Sequence, residues 1–405
     1  MLAGMLCAWF SGCKSEPLST PVAVDEYGEV DMETALAYET DIDALIARLE
    51  AKEIDPTDTV SDNSSSATMA VFNFLRENYG TNVIAAQQMF SAAQHEDTLY
   101  YNITGDLPAM KGFDMLMVTL DQPDTTQVDM AIDWYKNSGG LVTFTWHWYV
   151  PRDIDNLSQG TAFYTDQIIN FSFENAVTPG TAEYERIIRD IDTVAIQLQR
   201  LEAAGVPVLW RPLHEASGSW FWWGNQGKES IKAQYYQKLW YIVFDRLENY
   251  HKLTNLIWVW NGQSAYMEVN ANTYDISGVD VYPNAVDHSA QAAKYSSLES
   301  ITAEGKMLAL TEVGYIPDIE KIKSAGCSWL YYMPWYGEFV YQPTGGGMPL
   351  LDIDSMPTIN TSKMSEEFLI EQYSSENVIT WSKLPTFPGA SRNLPENLKL
   401  LFPNG

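Results

Sequence analysis

The sequence predicts an α/β protein built on a (β/α)8 TIM barrel, a single domain that follows an N-terminal tether. Two observations predict this fold: eight short apolar runs recur along the chain, and longer helical patterns separate them. Alternating strands and helices imply a parallel sheet, and eight of each over about 300 residues imply closure into a barrel. An open doubly wound sheet is the rival, but no glycine-rich phosphate loop follows the first run, which favours the barrel.

The eight apolar runs share one pattern, since each is short and ends in polar or aromatic residues. They begin near Asn82, Gly112, Leu141, Val206, Leu256, Ile276, Lys306 and Cys327. The stretch Glu183 to Ala204, between the third and fourth runs, has apolar residues at helical spacing and predicts a helix. These residues are Ile187, Ile191, Val194, Leu198 and Leu201.

The N-terminal region predicts a lipid anchor. Residues 1–12 are apolar and rich in small side chains, and they end in Phe10-Ser11-Gly12 directly before Cys13. This resembles the end of a bacterial lipoprotein signal, although an ordinary apolar N-terminus is the alternative. We therefore expect a lipid on Cys13 that holds the protein to the bacterial cell envelope, facing the periplasm or the outside.

A tether is expected between the anchor and the barrel. Residues 13–66 are rich in Ser, Thr, Pro, Asp and Glu, a composition typical of linkers. Apolar residues at helical spacing within 33–52 predict one helix there, able to dock on the body. The barrel domain is expected to occupy residues 67–405.

Charge and cysteine content exclude several classes of protein. The chain has 24 basic and 53 acidic residues, for a net charge of −29. Nucleic acids and anionic membranes are bound by basic patches, so we expect no nucleic acid and no membrane contact except through the lipid. Three cysteines, two of them near the N-terminus, give no disulfide framework and no zinc-ligand spacing. No metal and no cofactor are expected.

The segment 206–224, VPVLWRPLHEASGSWFWWG, carries the strongest functional signal. It begins as a strand and breaks into a loop at three ionisable residues, Arg211, His214 and Glu215. Four aromatic rings follow within eight residues. A shielded acid beside flat rings is what cleavage of a glycosidic bond requires, because the acid needs a raised pKa and sugars stack on aromatic faces.

A second glutamate supplies the partner that such chemistry needs. Glu215 ends the fourth predicted strand and Glu312 ends the seventh, and these strands face one another across an eight-stranded barrel. Two carboxylates about 5–5.5 Å apart serve a retaining glycosidase, and a separation of roughly 6.5–9.5 Å serves an inverting one. A salt bridge at the barrel rim is the alternative for either glutamate alone.

Other polar residues at the strand ends suggest supporting roles, because TIM-barrel chemistry gathers there. Arg211 is placed to hold nearby carboxylates ionised, with a purely structural ion pair as the alternative. Tyr282 is placed to donate its hydroxyl to a carboxylate. His147 alternates with Trp146 and Trp148, so we expect the histidine to face the barrel mouth and the two indoles to be core.

The tryptophans divide by their position. Trp210, Trp258 and Trp260 lie within predicted strands and are expected to be core. Three others lie in loops beyond strand ends and are predicted to be platforms on which sugar rings stack. These three are Trp220, Trp223 and Trp335.

The residues at these strand ends resemble glycoside hydrolase family 26, whose best-known members are β-mannanases. RPLHEASGSWFWWG is similar to the acid/base segment of the family and TEVG to its nucleophile segment. VTFTWHW and GVDVYP resemble its third and sixth strand ends. The resemblance runs from about Thr68 to Trp335 or beyond and implies a metal-independent retaining hydrolase on a (β/α)8 barrel.

The resemblance also implies residue roles. It makes Glu215 the acid/base and Glu312 the nucleophile, with Tyr282 as hydrogen-bond donor to the nucleophile. His214 and Arg211 would contact the sugar or the carboxylates. Three further residues would line the subsites nearest the scissile bond: His147, Trp220 and Trp335. The pair Ala216-Ser217 departs from the Met-Asn of many members, which puts fine subsite contacts in doubt.

The expected substrate is a β-1,4-mannan, glucomannan or galactomannan, cleaved internally by a monomeric enzyme. The loop HEASGSWFWWG favours that branch of the family. Two alternatives remain open: the same mechanism acting on β-1,3-1,4-glucan or β-1,3-xylan, and a catalytically silent lipoprotein that only binds polysaccharide.

Overall fold

A computed structural model describes residues 19–25, 28–92, 94–224, 230–342 and 356–402 of the chain. Cys13 and residues 1–12 lie outside these ranges, so the anchor stays a prediction. In the described chain, eight parallel strands form the barrel. They are β1 (Val83–Gln88), β2 (Met110–Asp114), β3 (Leu141–Thr145), β4 (Val208–Arg211), β5 (Leu256–Trp260), β6 (Ile276–Val281), β7 (Met307–Val313) and β8 (Trp329–Pro334).

The sheet closes on itself in sequence order. Each strand pairs with its neighbours in the chain, and β1 pairs with β8 through Ile84 opposite Tyr331. The fold class is therefore confirmed, and seven of the eight predicted apolar runs each contain one whole barrel strand, while the second overlaps its strand only in part. The second strand was placed too late, because it begins at Met110 and already ends at Asp114.

Helices cover the outside of the barrel. They are α1 (Met32–Leu36), α2 (Ile42–Glu50), α3 (Ser66–Asn78), α4 (His95–Thr104), α5 (Thr126–Asp133), α6 (Phe173–Ala176), α7 (Ala182–Ala203), α8 (Ser230–Asp245), α9 (Ala292–Glu299), α10 (Ile319–Ala325), α11 (Glu366–Ser374) and α12 (Glu396–Leu401). The predicted helix after residue 183 is α7, which buries all five of its periodic apolar residues. No described helix has the length and apolarity needed to cross a bilayer.

The N-terminal segment packs on the barrel, in keeping with a helix able to dock there. It forms two helices, α1 and α2, separated by residues 37–41, where the sequence predicted one. Leu45 and Leu49 of α2 are buried in the main hydrophobic core. The extra break arises because Asp41 caps α2 by accepting a hydrogen bond from the backbone N–H of Ala44.

Buried polar contacts fasten this segment to the outer helices. Arg246, beyond the end of α8, donates to the carbonyl oxygen of Ala35 at 3.0 Å and pairs with Asp192 of α7. His251 contacts the same aspartate at 2.8 Å. The hydroxyl of Tyr38 donates to Asp245 at 2.7 Å. Residues 19–50 are thus bound to α7 and α8 by hydrogen bonds as well as by apolar packing.

Candidate active site

The acid candidate lies on a strained turn after β4. Both Leu213 and Glu215 have positive φ angles, of 53° and 54°. Such backbone costs of order 1–3 kcal/mol per residue outside glycine, and it clusters at functional sites. The N–H of Glu215 donates to Oδ1 of Asn261 at 2.7 Å, which holds the turn in place. This turn directs the Glu215 carboxyl away from the axis of β4 and into the barrel mouth.

Both oxygens of Glu312 have donors. Arg211, fully buried at the end of β4, donates from Nη2 to Oε1 of Glu312. The hydroxyl of Tyr282, just beyond β6, donates to Oε2 at 2.6 Å. These two donors fix the carboxylate plane, so the structure brings together three of the residues that the sequence selected.

Asp280 links the two halves of the site. Its Oδ2 accepts from Nη1 of Arg211 at 3.0 Å, and its Oδ1 accepts from Nδ2 of Asn261, also at 3.0 Å. Since Asn261 holds the backbone of Glu215 and Arg211 holds Glu312, one chain of hydrogen bonds joins both glutamates. Asp280 and Asn261 therefore position the pair, a role that the sequence analysis did not assign to either residue.

The two histidines form a chain with Asp114 and Thr145. Nδ1 of His147 lies 2.5 Å from Oδ2 of Asp114, and its Nε2 lies 3.3 Å from Nε2 of His214. Nδ1 of His214 lies 3.1 Å from Oγ1 of Thr145. His147 faces the mouth, while Trp146 and Trp148 are buried behind it, as predicted.

The pKa values of the two histidines are set by burial and by neighbouring charges. Burial, the charge of His147 and that of Arg211 hold the pKa of His214 well below its usual value, so this ring is neutral. Burial acts in the same direction on His147, but the Asp114 carboxylate outweighs it and raises the pKa of His147. When it is protonated, His147 donates from both nitrogens, to Asp114 and to His214. Its charge then lies at the mouth, and the neutral histidine adjoins Glu215.

The two glutamates titrate differently. Burial and the negative charges of Asp280 and Glu312 raise the pKa of Glu215 strongly. Burial and Asp280 also raise the pKa of Glu312, and Arg211 and Tyr282 limit that rise without reversing it. Burial therefore outweighs the two donors, and the pKa of Glu312 lies above its ordinary value. Glu215 still holds its proton to higher pH than Glu312 does, which is the order that an acid paired with a base or nucleophile requires.

The carboxylates lie close together. One oxygen each of Glu215, Asp280 and Glu312 falls within 4.8 Å of the others. This spacing falls near the separation of a retaining pair and well below that of an inverting pair. The same three oxygens have the spacing of a metal site, but Arg211 already places a cation between Asp280 and Glu312. The expectation of a metal-free reaction stays a prediction.

Aromatic rings wall the site, with one correction. Trp220 is 46 % exposed and donates from Nε1 to Oε2 of Glu215 at 2.7 Å, and Trp335 lies beside His147 with ring centroids 5.8 Å apart. Trp223 is fully buried and donates to the carbonyl oxygen of His214 at 2.9 Å. Its prediction as a sugar platform is wrong, because a ring without exposed surface cannot stack on a ligand.

Besides Asp280 and Asn261, sequence reasoning missed two residues of the site. Asp114 was overlooked because the second strand was read past its true end, and functional polar side chains lie at the last residues of barrel strands. Tyr164 lies in the long loop after β3 and is 40 % exposed beside Trp220. Tyr164 could not be found from the sequence, because a loop residue belongs to no periodic pattern. In the structure, a backbone bridge to Phe221 holds Tyr164 at the site.

A TIM barrel with two converging carboxylates at the ends of β4 and β7, one shielded and one held by an arginine and a tyrosine, has the architecture of a glycoside hydrolase. The family can be named. The model of glycosyl hydrolase family 26 matches residues 60–345, and the chain belongs to that family.

Characterised relatives agree with the family. The chain is 35% identical over 351 residues to mannan endo-1,4-β-mannosidase B of Piromyces sp., covering 83% of this chain and 55% of that protein. It is 27% identical to a mannan endo-1,4-β-mannosidase of Bacillus subtilis strain 168, covering 73% of this chain and 86% of that protein. The chain thus spans about half the length of the Piromyces relative.

Solved structures share the fold. A β-(1,4)-mannanase of this family from Podospora anserina superposes with a TM-score of 0.69 at 32% identity, covering 82% of this chain and 70% of that chain. A β-mannanase from a symbiotic protist of the termite Reticulitermes speratus, complexed with gluco-manno-oligosaccharide, gives 0.69 at 30% identity, covering 83% and 99%.

Proposed function

We propose that this protein is a retaining endo-β-1,4-mannanase that cleaves internal bonds of mannan, glucomannan or galactomannan. The observation that carries the proposal is the close approach of the Glu215 and Glu312 carboxylates, with Glu312 held by Arg211 and Tyr282. Mannan is the substrate named for the Piromyces and Bacillus subtilis relatives.

In the first step, Glu312 attacks the anomeric carbon while Glu215 protonates the departing glycosidic oxygen. Arg211 and Tyr282 orient the attacking oxygen. Their hydrogen bonds also keep part of the Glu312 population ionised in a site where burial favours the neutral acid. The product of this step is a covalent glycosyl ester on Glu312 and a released chain end.

In the second step, Glu215 has lost its proton and serves as base for an incoming water molecule. The charge of the Glu312 carboxylate is absent from the ester, which removes one of the two negative neighbours that raise the pKa of Glu215. The proton affinity of Glu215 is therefore lower at this stage than at the first. Water attacks from the face that the leaving group has vacated, and the anomeric configuration is retained.

The test of this function uses Glu215→Gln and Glu312→Gln. Glutamine preserves the shape of each side chain and removes its acid or nucleophilic chemistry, so each variant should lose nearly all release of reducing ends from mannan while its melting curve stays near that of the parent. Near-normal hydrolysis by either variant would overturn the assignment.

A product profile separates mannanase activity from the alternatives. Galactomannan, glucomannan, mixed-linkage β-glucan and β-1,3-xylan are digested in parallel, and we expect short manno-oligosaccharides from the first two. Faster cleavage of β-glucan or xylan would reassign the substrate. Binding to mannan without any cleavage would reassign the protein to the silent polysaccharide-binding class.

We also propose that Cys13 carries a lipid that holds the enzyme to the cell envelope. The support is the apolar segment before it and the sequence Phe10-Ser11-Gly12-Cys13. Expression of the full chain in a bacterial host with a labelled fatty acid should label the parent and not Cys13→Ser. Equal labelling of the two proteins would overturn this proposal.

A further inference from the structure

A cleft lies at the opposite end of the barrel from the paired glutamates. It has a volume of about 670 Å³ and is bounded by the end of α3, by α9 and by the first residues of β7. Met307 lines the cleft and begins β7, and Glu312 lies five residues further along that strand, about 17 Å away at the rise of a β-strand. The cleft is therefore separate from the active site.

The N-terminal segment completes one wall of this cleft. Gly305 has a φ of +86°, and a Cβ built on it would lie 2.8 Å from Cβ of Pro56. Only glycine allows the loop after α9 to turn there and to approach the segment so closely. The cleft thus depends on the docking of residues 19–66, which gives that segment a part in shaping the molecule beyond its lipid-bearing end.

Two tyrosines give the cleft aromatic walls. Tyr79 follows α3 and Tyr295 lies on α9, and both line the cleft. The ring of Tyr295 packs edge-on against the buried Trp329, with centroids 5.0 Å apart, which fixes its orientation. Burial and the neighbouring Tyr295 hydroxyl raise the pKa of Tyr79, so the Tyr79 ring is a neutral phenol. Rigid aromatic faces with hydroxyl groups at their edges suit the C–H faces and hydroxyls of sugar rings.

The cleft carries charges of both signs. Arg76 supplies a cation, and Glu299 and Glu304 supply two carboxylates, while Lys306 is buried with its ammonium group over the Tyr274 ring. In the described part of the chain, Arg76 forms no ion pair within 4.0 Å, so its guanidinium donors remain available to a ligand. An anion would be repelled by the two glutamates and a cation by Arg76. A neutral ligand with many hydroxyl groups suits both kinds of charge, because each hydroxyl can donate to the carboxylates or accept from the arginine.

We propose that this cleft is a second, non-catalytic saccharide site that binds a stretch of the same neutral β-glycan that the active site cleaves. The volume of the cleft lies within the range of ligand pockets. The choice of this glycan as the ligand rests on the proposed function. A long chain held at this site raises the local concentration of the polymer at the barrel mouth, an effect that a short oligosaccharide cannot produce.

The test compares two double variants. Arg76→Ala with Glu299→Ala removes one cation and one carboxylate from the cleft. Lys294→Ala with Glu320→Ala is the matched control, since it removes the same charges from exposed positions that do not line it. In a Glu312→Gln background, mannohexaose titrated by calorimetry should occupy two sites in the control and one in the cleft variant. With Glu312 intact, the cleft variant should lose several-fold in kcat/KM on long galactomannan and keep its value on mannotetraose.

Two sites in both double variants, or one site in both, would overturn the inference, as would tighter binding of an acidic oligogalacturonate than of mannohexaose. Failure of the proposed function is a distinct result. An intact enzyme that releases no reducing ends from mannan would refute the mannanase assignment, whatever the number of saccharide sites.

Discussion

The indole N–H of Trp220 donates to Oε2 of Glu215 at 2.7 Å, although nearly half of the Trp220 surface is exposed. In the proposed mechanism, this contact leaves the other oxygen of Glu215 to carry the catalytic proton. Gly218 makes the arrangement possible, because a Cβ at that position would lie 2.4 Å from the Trp220 ring. Trp220 thus combines an exposed ring with a hydrogen-bond donor to Glu215.

Trp220→Phe keeps an aromatic ring and removes the N–H. The hydrogen bond from Trp220 lowers the pKa of Glu215, so its loss should raise that pKa and move the alkaline limb of the kcat/KM profile upward. A hydrogen bond to a charged group is worth roughly 1.5–3 kcal/mol when shielded, so at this half-exposed position we expect a shift of up to about one pH unit. The profile is measured on mannopentaose.

Trp220→Ala serves as the comparison, since it removes both the donor and the ring. It should show the same shift and a higher KM. An unchanged alkaline limb in Trp220→Phe would show that the indole does not act on the acid.

The dependence of kcat/KM on pH should be bell-shaped. Glu312 must be ionised to attack, and its pKa is raised, so activity falls as pH drops through a value above the ordinary glutamate range near 4.3. Glu215 must be protonated, and its pKa is raised further, so activity falls again at distinctly higher pH. A kcat/KM profile on a soluble mannan measures both limbs. Full activity at pH 4 would contradict the raised Glu312 pKa.

Asp280→Asn should shift both limbs to lower pH. Its carboxylate raises the pKa of both glutamates, and asparagine keeps the shape without the charge. We also expect kcat to fall at least tenfold, because Arg211 loses one of its two carboxylate partners and Glu312 is held less firmly.

Asp121→Asn, at an exposed position, is the matched control and should leave the profile unchanged. A pH profile of Asp280→Asn that coincides with the parent, together with full kcat, would remove Asp280 from the set of positioning residues.

Leu45→Ala should destabilise the whole barrel domain. The side chain is 2 % exposed within the main core, and such truncations cost about 2–5 kcal/mol. Glu50→Ala, on the exposed face of the same helix, should change stability by less than about 0.5 kcal/mol. Denaturant unfolding measures both. Equal stability of the two variants would show that residues 19–66 behave as a free tether.

Much of this architecture follows from local chemistry in the sequence. The strands are continuous apolar runs because both faces of a parallel barrel strand are buried, which made β3 and β7 recognisable. Glu215 and Glu312 were found because each interrupts such a run at its carboxyl end. The sequence also predicted the burial of Trp258 and Trp260, since both lie inside β5.

Other features depend on contacts that no local pattern encodes. Trp223 lies in the same aromatic loop sequence as Trp220, so the sequence does not distinguish the two rings. The Trp223 ring points inward because it packs against His214. The docking of α1 on α7 and of α2 on α8 depends on partners about 150 to 200 residues away along the chain. The raised pKa of Glu312 could not be predicted from the sequence, because its burial depends on the closure of the whole barrel mouth.

The stereochemistry of the first product tests the central claim most directly. Proton NMR of the reducing end released from mannopentaose in the first minutes, before mutarotation, distinguishes the two anomers. Double displacement through Glu312 predicts that the β-anomer appears first and that the α-anomer accumulates later. Initial appearance of the α-anomer would show single displacement and would contradict the assignment of Glu312 as nucleophile.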